Sequence, residues 1–145
     1  MDRSDPRPGT PNSIAGGKKA LCNMCPALVS HGGRPVAVSG ASGGRRIMAA
    51  VAQLLLMVHD FGMDVEEAAH WPRIDVSGPD LVSADRRLPA QVVDALRALG
   101  DCEVVDHNVP PINFARPSIV ERFDGVSARD ISDAFSPWCV ALSPA

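Results

Sequence analysis

The longest apolar run of the chain, Ile47 to Val58, belongs to a segment that continues to Phe61 and predicts a helix. It is too long for a strand and contains three alanines, both of which favour a helix. One face of this helix would carry Ile47, Val51, Leu54, Leu55 and Val58. The opposite face is apolar as well, through Met48, Ala49, Ala52 and Leu56. A helix that is apolar all round is expected in the interior of a layered domain.

Shorter patterns predict the remaining elements. Two apolar runs at 26–30 and 35–39 flank a turn, His31-Gly32-Gly33-Arg34, and predict a β-hairpin. Further elements are expected as follows: a helix capped by Asp64 that ends before Pro72, a strand at 73–76, a helix at 89–99 with Val92, Leu96 and Leu99 on its inner face, a strand at 102–105, and a second hairpin around Asp124-Gly125. The order ββ-α-α-β-α-β-ββ predicts an α+β layered sandwich, preceded by an irregular loop at 1–20.

Composition limits the classes of function. The chain has 145 residues, 46% of them apolar, and a formal net charge of -3, which is typical of one globular domain at most. Lys and Arg (14) are fewer than Asp and Glu (17), so no nucleic-acid partner is expected. A membrane-spanning helix needs about 20 apolar residues, and the longest run is interrupted by Gln53, so no membrane partner is expected either. No signal-peptide pattern is present, and the localisation stays open.

A glycine-rich segment, Ser39-Gly40-Ala41-Ser42-Gly43-Gly44, joins a predicted strand to the long helix. Backbone N–H groups at a helix N-terminus favour negative charge, so this segment is suited to a phosphate, a carboxylate or a developing oxyanion. It lacks the lysine and hydroxyl spacing of a P-loop. A tight turn that needs positive φ explains the glycines equally well. Arg45 and Arg46 oppose the helix dipole, a local cost that an anionic partner or solvent would offset.

Cys22 and Cys25 form a CxxC pattern, which occurs in redox pairs and in zinc sites. Pro26 and a predicted strand follow, whereas a redox pair normally opens a helix, and Cys102 and Cys139 stand alone. Two small apolar residues leading into a strand are therefore favoured over a metal or redox site. The four histidines are scattered without metal-ligand spacing.

Three segments, 11–26, 40–47 and 60–73, resemble the γ-glutamyltransferase (γ-glutamyltranspeptidase) family in order and spacing. The resemblance is clear over residues 1 to about 75 and looser beyond them. It implies part of an αββα N-terminal-nucleophile hydrolase sandwich. In that family the precursor cleaves itself, and the new N-terminal threonine attacks a γ-glutamyl amide, whose acyl group passes to water or an amine. The resemblance implies a small-molecule amide substrate and neither metal nor organic cofactor.

The resemblance also assigns roles to individual residues. Gly43 and Gly44 match the pair whose N–H groups form the oxyanion hole. Cys22 and Asn23 stand where the transpeptidases usually carry two serines that hold the substrate α-carboxylate. Arg3 stands where they carry an aspartate that holds the α-amino group. Because Arg3 inverts that charge, an acylase acting on an acyl chain that ends in a carboxylate is an alternative.

Thr10 is the only threonine of the sequence, and it lies in a loop between Gly9 and Pro11 without a free α-amine. The chain is therefore expected to be a single incomplete domain, 1–145, from the C-terminal part of the small subunit. Its partner would be the missing portion of the precursor with the large subunit, and it would be inactive alone. An incomplete sandwich would also leave one face of the long helix uncovered. Three other classes stay open: a CxxC redox or zinc module, an anion-binding module on the 40–44 loop, and a remnant without independent activity.

Overall fold

The computed structural model describes residues 9–11, 13, 15–19, 22–78, 80–122 and 128–137. The elements in chain order are β1 (Ala27–His31), β2 (Arg34–Ser42), a 3-10 turn (Gly44–Arg46), α1 (Ile47–His59), α2 (Val65–His70), β3 (Ile74–Asp75), β4 (Val82–Asp85), α3 (Ala90–Leu99), β5 (Cys102–Val105), β6 (Arg116–Arg122) and β7 (Ala128–Ser132). They form a four-stranded antiparallel sheet, β1-β2-β6-β7, and a three-stranded sheet, β3-β4-β5. The mixture confirms the α+β prediction.

The four-stranded sheet has one covered face and one bare face. Ser39 pairs with Ile119, and both are buried beneath α1 and α2. One residue further along the strands, the register brings Leu28, Val38 and Val120 into a single row on the other face. These three side chains are 64%, 50% and 48% exposed. Only one face of this sheet therefore packs into the core of the described structure.

The first hairpin is confirmed, and so are both helices that follow it. Gly32 and Gly33 make its turn with φ of 57° and 76°, conformations that glycine adopts without steric cost. Asp64 caps α2, since its side chain accepts a hydrogen bond of 2.9 Å from the backbone N–H of Glu66. The second predicted hairpin is confirmed as the antiparallel pair β6-β7, while Asp124-Gly125 lies outside the described residues.

The expectation that α1 is buried all round was wrong. Leu54 and Val58 pack against the sheet, whereas Met48 and Leu56 on the opposite face are 68% and 48% exposed. An apolar helix is buried only where another layer covers it, and in the described structure the sheet covers one side.

The three-stranded sheet departs most from the sequence-based prediction. Strand β4 was missed, and β3 has only two residues. Strands β4 and β5 are parallel, with α3 as the connection between them. The face predicted for α3 was wrong at two of its three positions, because Val92 and Leu99 are exposed, while Leu96 is half-buried and the buried residue is Val93. Among the described residues, no helix is long and apolar enough to cross a membrane.

Candidate functional site

The glycine-rich segment narrows in the structure to a two-residue turn between β2 and α1, which we call the glycine turn (Gly43 and Gly44). Strand β2 continues through Ser42, so residues 40–42 are strand and not loop as predicted. The φ angles of Gly43 and Gly44 are 148° and 65°, in the region that favours glycine. A Cβ on Gly43 would lie 2.6 Å from both Cα and Cβ of Ala115. The turn is therefore closely packed as well as conformationally unusual.

The N–H groups of the glycine turn have no intramolecular acceptor in the part of the chain that the structure describes. They precede the first helical residues, whose N–H groups have no partner within the helix. The turn is closed by the N–H of Arg46, which donates to the carbonyl of Gly43 at 3.4 Å. Two adjacent donors on a fixed turn can bind an anion or stabilise an oxyanion.

Of the two arginines at the start of α1, Arg46 has an anionic partner. Its Nε lies 3.6 Å from Oδ2 of Asp75, a residue that is only 5% exposed. The same Oδ2 accepts a 2.7 Å hydrogen bond from the hydroxyl of Ser77. The helix dipole indicated the need for a negative charge here, but the sequence pattern did not reveal that Asp75 supplies it.

The segment 22–25 lies beside the start of α1. Cys25 is half-buried and packs against a cluster that contains Ile47 and Ala115. Cys22 is exposed and Asn23 is half-buried. Because Gly43 also lies against Ala115, the glycine turn and this segment both border that residue. Arg3 lies outside the described residues.

Cys22 and Cys25 form no disulfide bond with each other. Cys22 and Cys25 are free thiols. Within the described ranges, no group of three or more His, Cys, Asp or Glu side chains is arranged to hold a metal ion.

The sequence patterns did not predict a buried charged cluster formed by Arg73, Asp85, His107 and Asp133, with the exposed Arg87 at its edge. Arg73 and Asp133 are 4% and 2% exposed and form an ion pair of 3.0 Å. His107 lies between two carboxylates, with Nδ1 3.8 Å from Asp85 and Nε2 3.5 Å from Asp133. Its ring stacks on Phe135 at 4.2 Å. No local pattern marks this cluster, because Arg73, the Asp85–Arg87 pair, His107 and Asp133 are far apart along the chain.

Burial, neighbouring charges and hydrogen bonds together shift the pKa values in this cluster. Burial, together with the positive charge of Arg73, lowers the pKa of His107 to about 4, against the opposing effect of Asp133. Burial also lowers the pKa of Arg73 from its usual value. For Asp85, burial alone would raise the pKa, but the hydrogen bonds from Arg87 outweigh it and hold the pKa below its usual value. Near neutral pH, His107 is therefore neutral between charged neighbours.

The free energy of unfolding is expected to fall by about 2 kcal/mol between pH 7 and pH 5 on account of His107. The unfolded chain binds a proton at this histidine with a pKa of about 6.5, whereas the native pKa is about 4. Over that window the unfolded state holds more protons, so stability is lost as the pH falls. Urea unfolding at both pH values measures the difference. In a His107→Gln variant this part of the pH dependence should disappear, and an unchanged slope would contradict the assignment.

Comparison with known proteins places the chain in a family. Residues 1–125 match the family model described as Gamma-glutamyltranspeptidase. The chain belongs to this family. It is similar to the glutathione hydrolase proenzyme of Escherichia coli (strain K12), with 31% identity over 111 residues, 69% of this chain and 19% of that protein. It is also similar to the acylase ACY 1 proenzyme of Pseudomonas sp. (strain V22), with 32% identity over 100 residues, 69% of this chain and 18% of that protein.

The fold matches as well. The structure of a gamma-glutamyltranspeptidase from Pseudomonas nitroreducens complexed with L-DON superposes with a TM-score of 0.77. The match covers 97% of this chain and 78% of that one, at 24% sequence identity. The chain thus has the α+β N-terminal-nucleophile hydrolase fold of the family. It spans 16% and 48% of the length of two further curated relatives, scoloptoxins SSD14 and SSD20 of Scolopendra dehaani.

Proposed function

We propose that this chain supplies the oxyanion-binding turn and substrate-binding residues of a γ-glutamyltransferase-like amidohydrolase. The enzyme would cleave an amide and pass the acyl group to water or to an amine. The observation that carries the proposal is the glycine turn, where two N–H donors without an acceptor among the described residues lie at the start of α1. Family membership supplies the reaction class for which such donors are useful.

Attack of a nucleophile on an amide carbonyl converts the carbonyl oxygen into an oxyanion. Donors that are already fixed stabilise this charge without reorganising during the reaction. The close packing of Gly43 against Ala115 and the start of α1 hold the N–H groups of Gly43 and Gly44 in place. The two glycines are therefore assigned the role of the oxyanion hole.

The nucleophile is proposed to come from a segment of the precursor outside this sequence. Thr10 is the only threonine of the chain, and it is followed by Pro11 in an internal peptide linkage. Its carbonyl accepts hydrogen bonds from the backbone N–H and the hydroxyl of Ser13. An N-terminal nucleophile needs a free α-amine as its base, which Thr10 lacks. The 145-residue chain alone is therefore expected to be inactive.

The bare face of the four-stranded sheet supports a partner segment. The row formed by Leu28, Val38 and Val120 is exposed in the structure, although apolar rows of this kind are normally covered. Met48 and Leu56 leave a second apolar strip on the outer side of α1. We assign these surfaces to the remaining part of the same precursor, including the large subunit.

Two classes of acyl group are candidates for the substrate. Asn23 can donate to a substrate carboxylate, and the neighbouring Cys22 is a weaker donor. Arg3 would repel an α-ammonium group and would attract an acyl chain that ends in a carboxylate. The similarity to an acylase proenzyme favours this second substrate class alongside γ-glutamyl compounds. Hydrolysis of a γ-glutamyl anilide and of a glutaryl anilide, compared in the same preparation, distinguishes the two classes.

In the complete enzyme, expressed with the segment that carries the nucleophile, Gly44→Ala is expected to lower kcat about 100- to 1000-fold. The φ of 65° at Gly44 disfavours alanine, so the substitution displaces the donors of the turn. Steady-state hydrolysis of both anilides measures the effect. The matched control is Gly33→Ala, because Gly33 has a φ of 76° in the hairpin turn and an added Cβ there meets nothing within 4 Å. This control should retain the kcat of the parent enzyme.

Three results would contradict the proposal. An equal kcat for Gly44→Ala and Gly33→Ala would show that the glycine turn takes no part in the reaction. Turnover by the 145-residue chain alone, lost in Gly44→Ala, would refute the assignment of the nucleophile to another segment. Bound zinc, lost in Cys22→Ser or Cys25→Ser, would favour a metal module instead.

A further inference from the structure

We infer that Asp75 is a positioning residue for the glycine turn and that it acts through Arg46. The inference rests on the proposed function, because it concerns the geometry of the proposed oxyanion donors. Asp75 is remote in sequence from the glycine turn, and its connection to the turn consists of one ion pair and one backbone hydrogen bond. Three sets of contacts carry the argument.

The first set fixes the strand that carries Asp75. Gln53 on α1 makes two hydrogen bonds to the backbone of Ile74 in β3. Its Nε2 donates to the carbonyl of Ile74 at 2.8 Å, and its Oε1 accepts from the N–H of Ile74 at 2.9 Å. Strand β3 is thus attached to the same helix that begins just after the glycine turn. Asp75 is held at a defined place relative to that helix.

The second set concerns the charge of Asp75. The residue is 5% exposed, and a buried carboxylate is costly unless a cation and hydrogen bonds compensate it. The hydroxyl of Ser77 donates to Oδ2, and Nε of Arg46 lies 3.6 Å from the same oxygen. The positive charge of Arg46 therefore compensates a charge that water reaches poorly.

The third set links Arg46 to the proposed chemistry. Its backbone N–H donates to the carbonyl of Gly43 and closes the glycine turn. A positive side chain at a helix N-terminus is disfavoured by the helix dipole, and the carboxylate of Asp75 offsets this cost. Arg46 therefore contacts the glycine turn through its backbone and Asp75 through its side chain. Loss of the carboxylate frees Arg46 to move away from the helix end and loosens the turn.

The reaction is sensitive to such loosening. Oxyanion donors act at their full strength only when they already point to the place where the charge develops. A misplacement of about 1 Å can cost a factor of about 100 in rate. Since the donors contact the substrate more strongly in the transition state than in the ground state, the loss should fall on kcat and leave KM nearly unchanged.

The test uses the complete enzyme with the variants Asp75→Asn, Arg46→Gln, Arg46→Lys and the double variant. Asp75→Asn is expected to lower kcat about 10- to 100-fold with KM changed less than twofold. Arg46→Gln should behave alike, and the double variant should lose no more than either single one, since both act through one contact. Arg46→Lys keeps the positive charge and should recover most of kcat. Asp94→Asn, at a carboxylate whose side chain is 72% exposed, is the control and should leave kcat unchanged.

The outcomes separate this inference from the proposed function. A lower kcat in both Gly44→Ala and Asp75→Asn, with Arg46→Lys active, supports both. If Gly44→Ala lowers kcat but Asp75→Asn does not, or if Asp75→Asn changes KM alone, the inference is overturned and the proposed function stands. A loss of kcat in Arg46→Lys as large as in Arg46→Gln also overturns it. If Gly44→Ala leaves kcat unchanged, the proposed function fails and the inference fails with it.

Discussion

Replacing Asp133 with alanine is expected to lower the free energy of unfolding by about 3–5 kcal/mol. The substitution leaves the guanidinium of Arg73 buried without the carboxylate that lies 3.0 Å away. Arg73 is 4% exposed, so its charged form is poorly solvated, and this burial lowers its pKa. The substitution also removes the acceptor for the N–H of Phe135, which Oδ1 of Asp133 binds at 2.9 Å. Urea unfolding followed by circular dichroism at pH 7 measures the loss.

Two comparisons make this result specific to the buried pair. Asp94→Ala removes an exposed carboxylate that pairs with Arg97 at 3.4 Å, and it should leave the free energy of unfolding nearly unchanged. Replacing both partners, with Arg73→Met and Asp133→Leu together, should recover much of the loss, because no uncompensated charge remains buried. A loss below about 1 kcal/mol in Asp133→Ala would show that the native pair carries little of the stability.

The elements that were predicted correctly are those whose signals are local. The β1-β2 hairpin follows from two apolar runs around Gly32 and Gly33, and the start of α2 follows from the cap at Asp64. Strand β4 was missed because Val82–Asp85 is short and follows a segment, Ser77-Gly78, that is typical of a turn. Strand β4 pairs with β5 on the other side of α3 in the sequence. The hydrophobic periodicity of a short stretch of sequence gives no information about such a long-range contact.

Burial was predicted less well than secondary structure, because it depends on what covers a residue. The apolar pattern of α1 was correct, but the pattern alone does not say that Met48 and Leu56 face outwards. The buried charged cluster shows this dependence of burial on the complete fold more clearly. His107 follows β5 and Asp133 follows β7, strands of two different sheets, and only the complete fold brings them within 3.5 Å of each other.

The candidate site was predictable in part for the same reason. Glycines between a strand and a helix indicate a turn with free N–H donors, and this much is local information. That Gly43 admits no side chain depends on Ala115, which approaches it only in the folded structure. The need of Arg46 for an anion follows from the helix dipole, whereas the identity of that anion, Asp75, required the packing of β3 on α1.

Gly43→Ala is expected to cost about 2–6 kcal/mol of the free energy of unfolding and to abolish turnover in the complete enzyme. A φ of 148° is strained for alanine, and the new Cβ would lie 2.6 Å from Cα and Cβ of Ala115. Both the overlap and the strain act on the N–H groups of the glycine turn. Thermal or urea unfolding gives the stability, and hydrolysis of the two anilides gives the activity.

The matched variants separate the loss of stability that backbone strain causes from the loss that steric overlap with Ala115 causes. Gly33→Ala has positive φ but open space around the added Cβ, so it should cost only about 1–2 kcal/mol and retain activity. Adding Ala115→Gly to Gly43→Ala removes the overlap with the Ala115 Cβ but leaves the Cα at 2.6 Å. The double variant should therefore recover part of the stability and little of the activity, because the donors stay displaced. Equal stability of Gly43→Ala and Gly33→Ala would show that the turn has room for a side chain, and the close approach of Gly43 to Ala115 could not then be what holds the oxyanion donors in place.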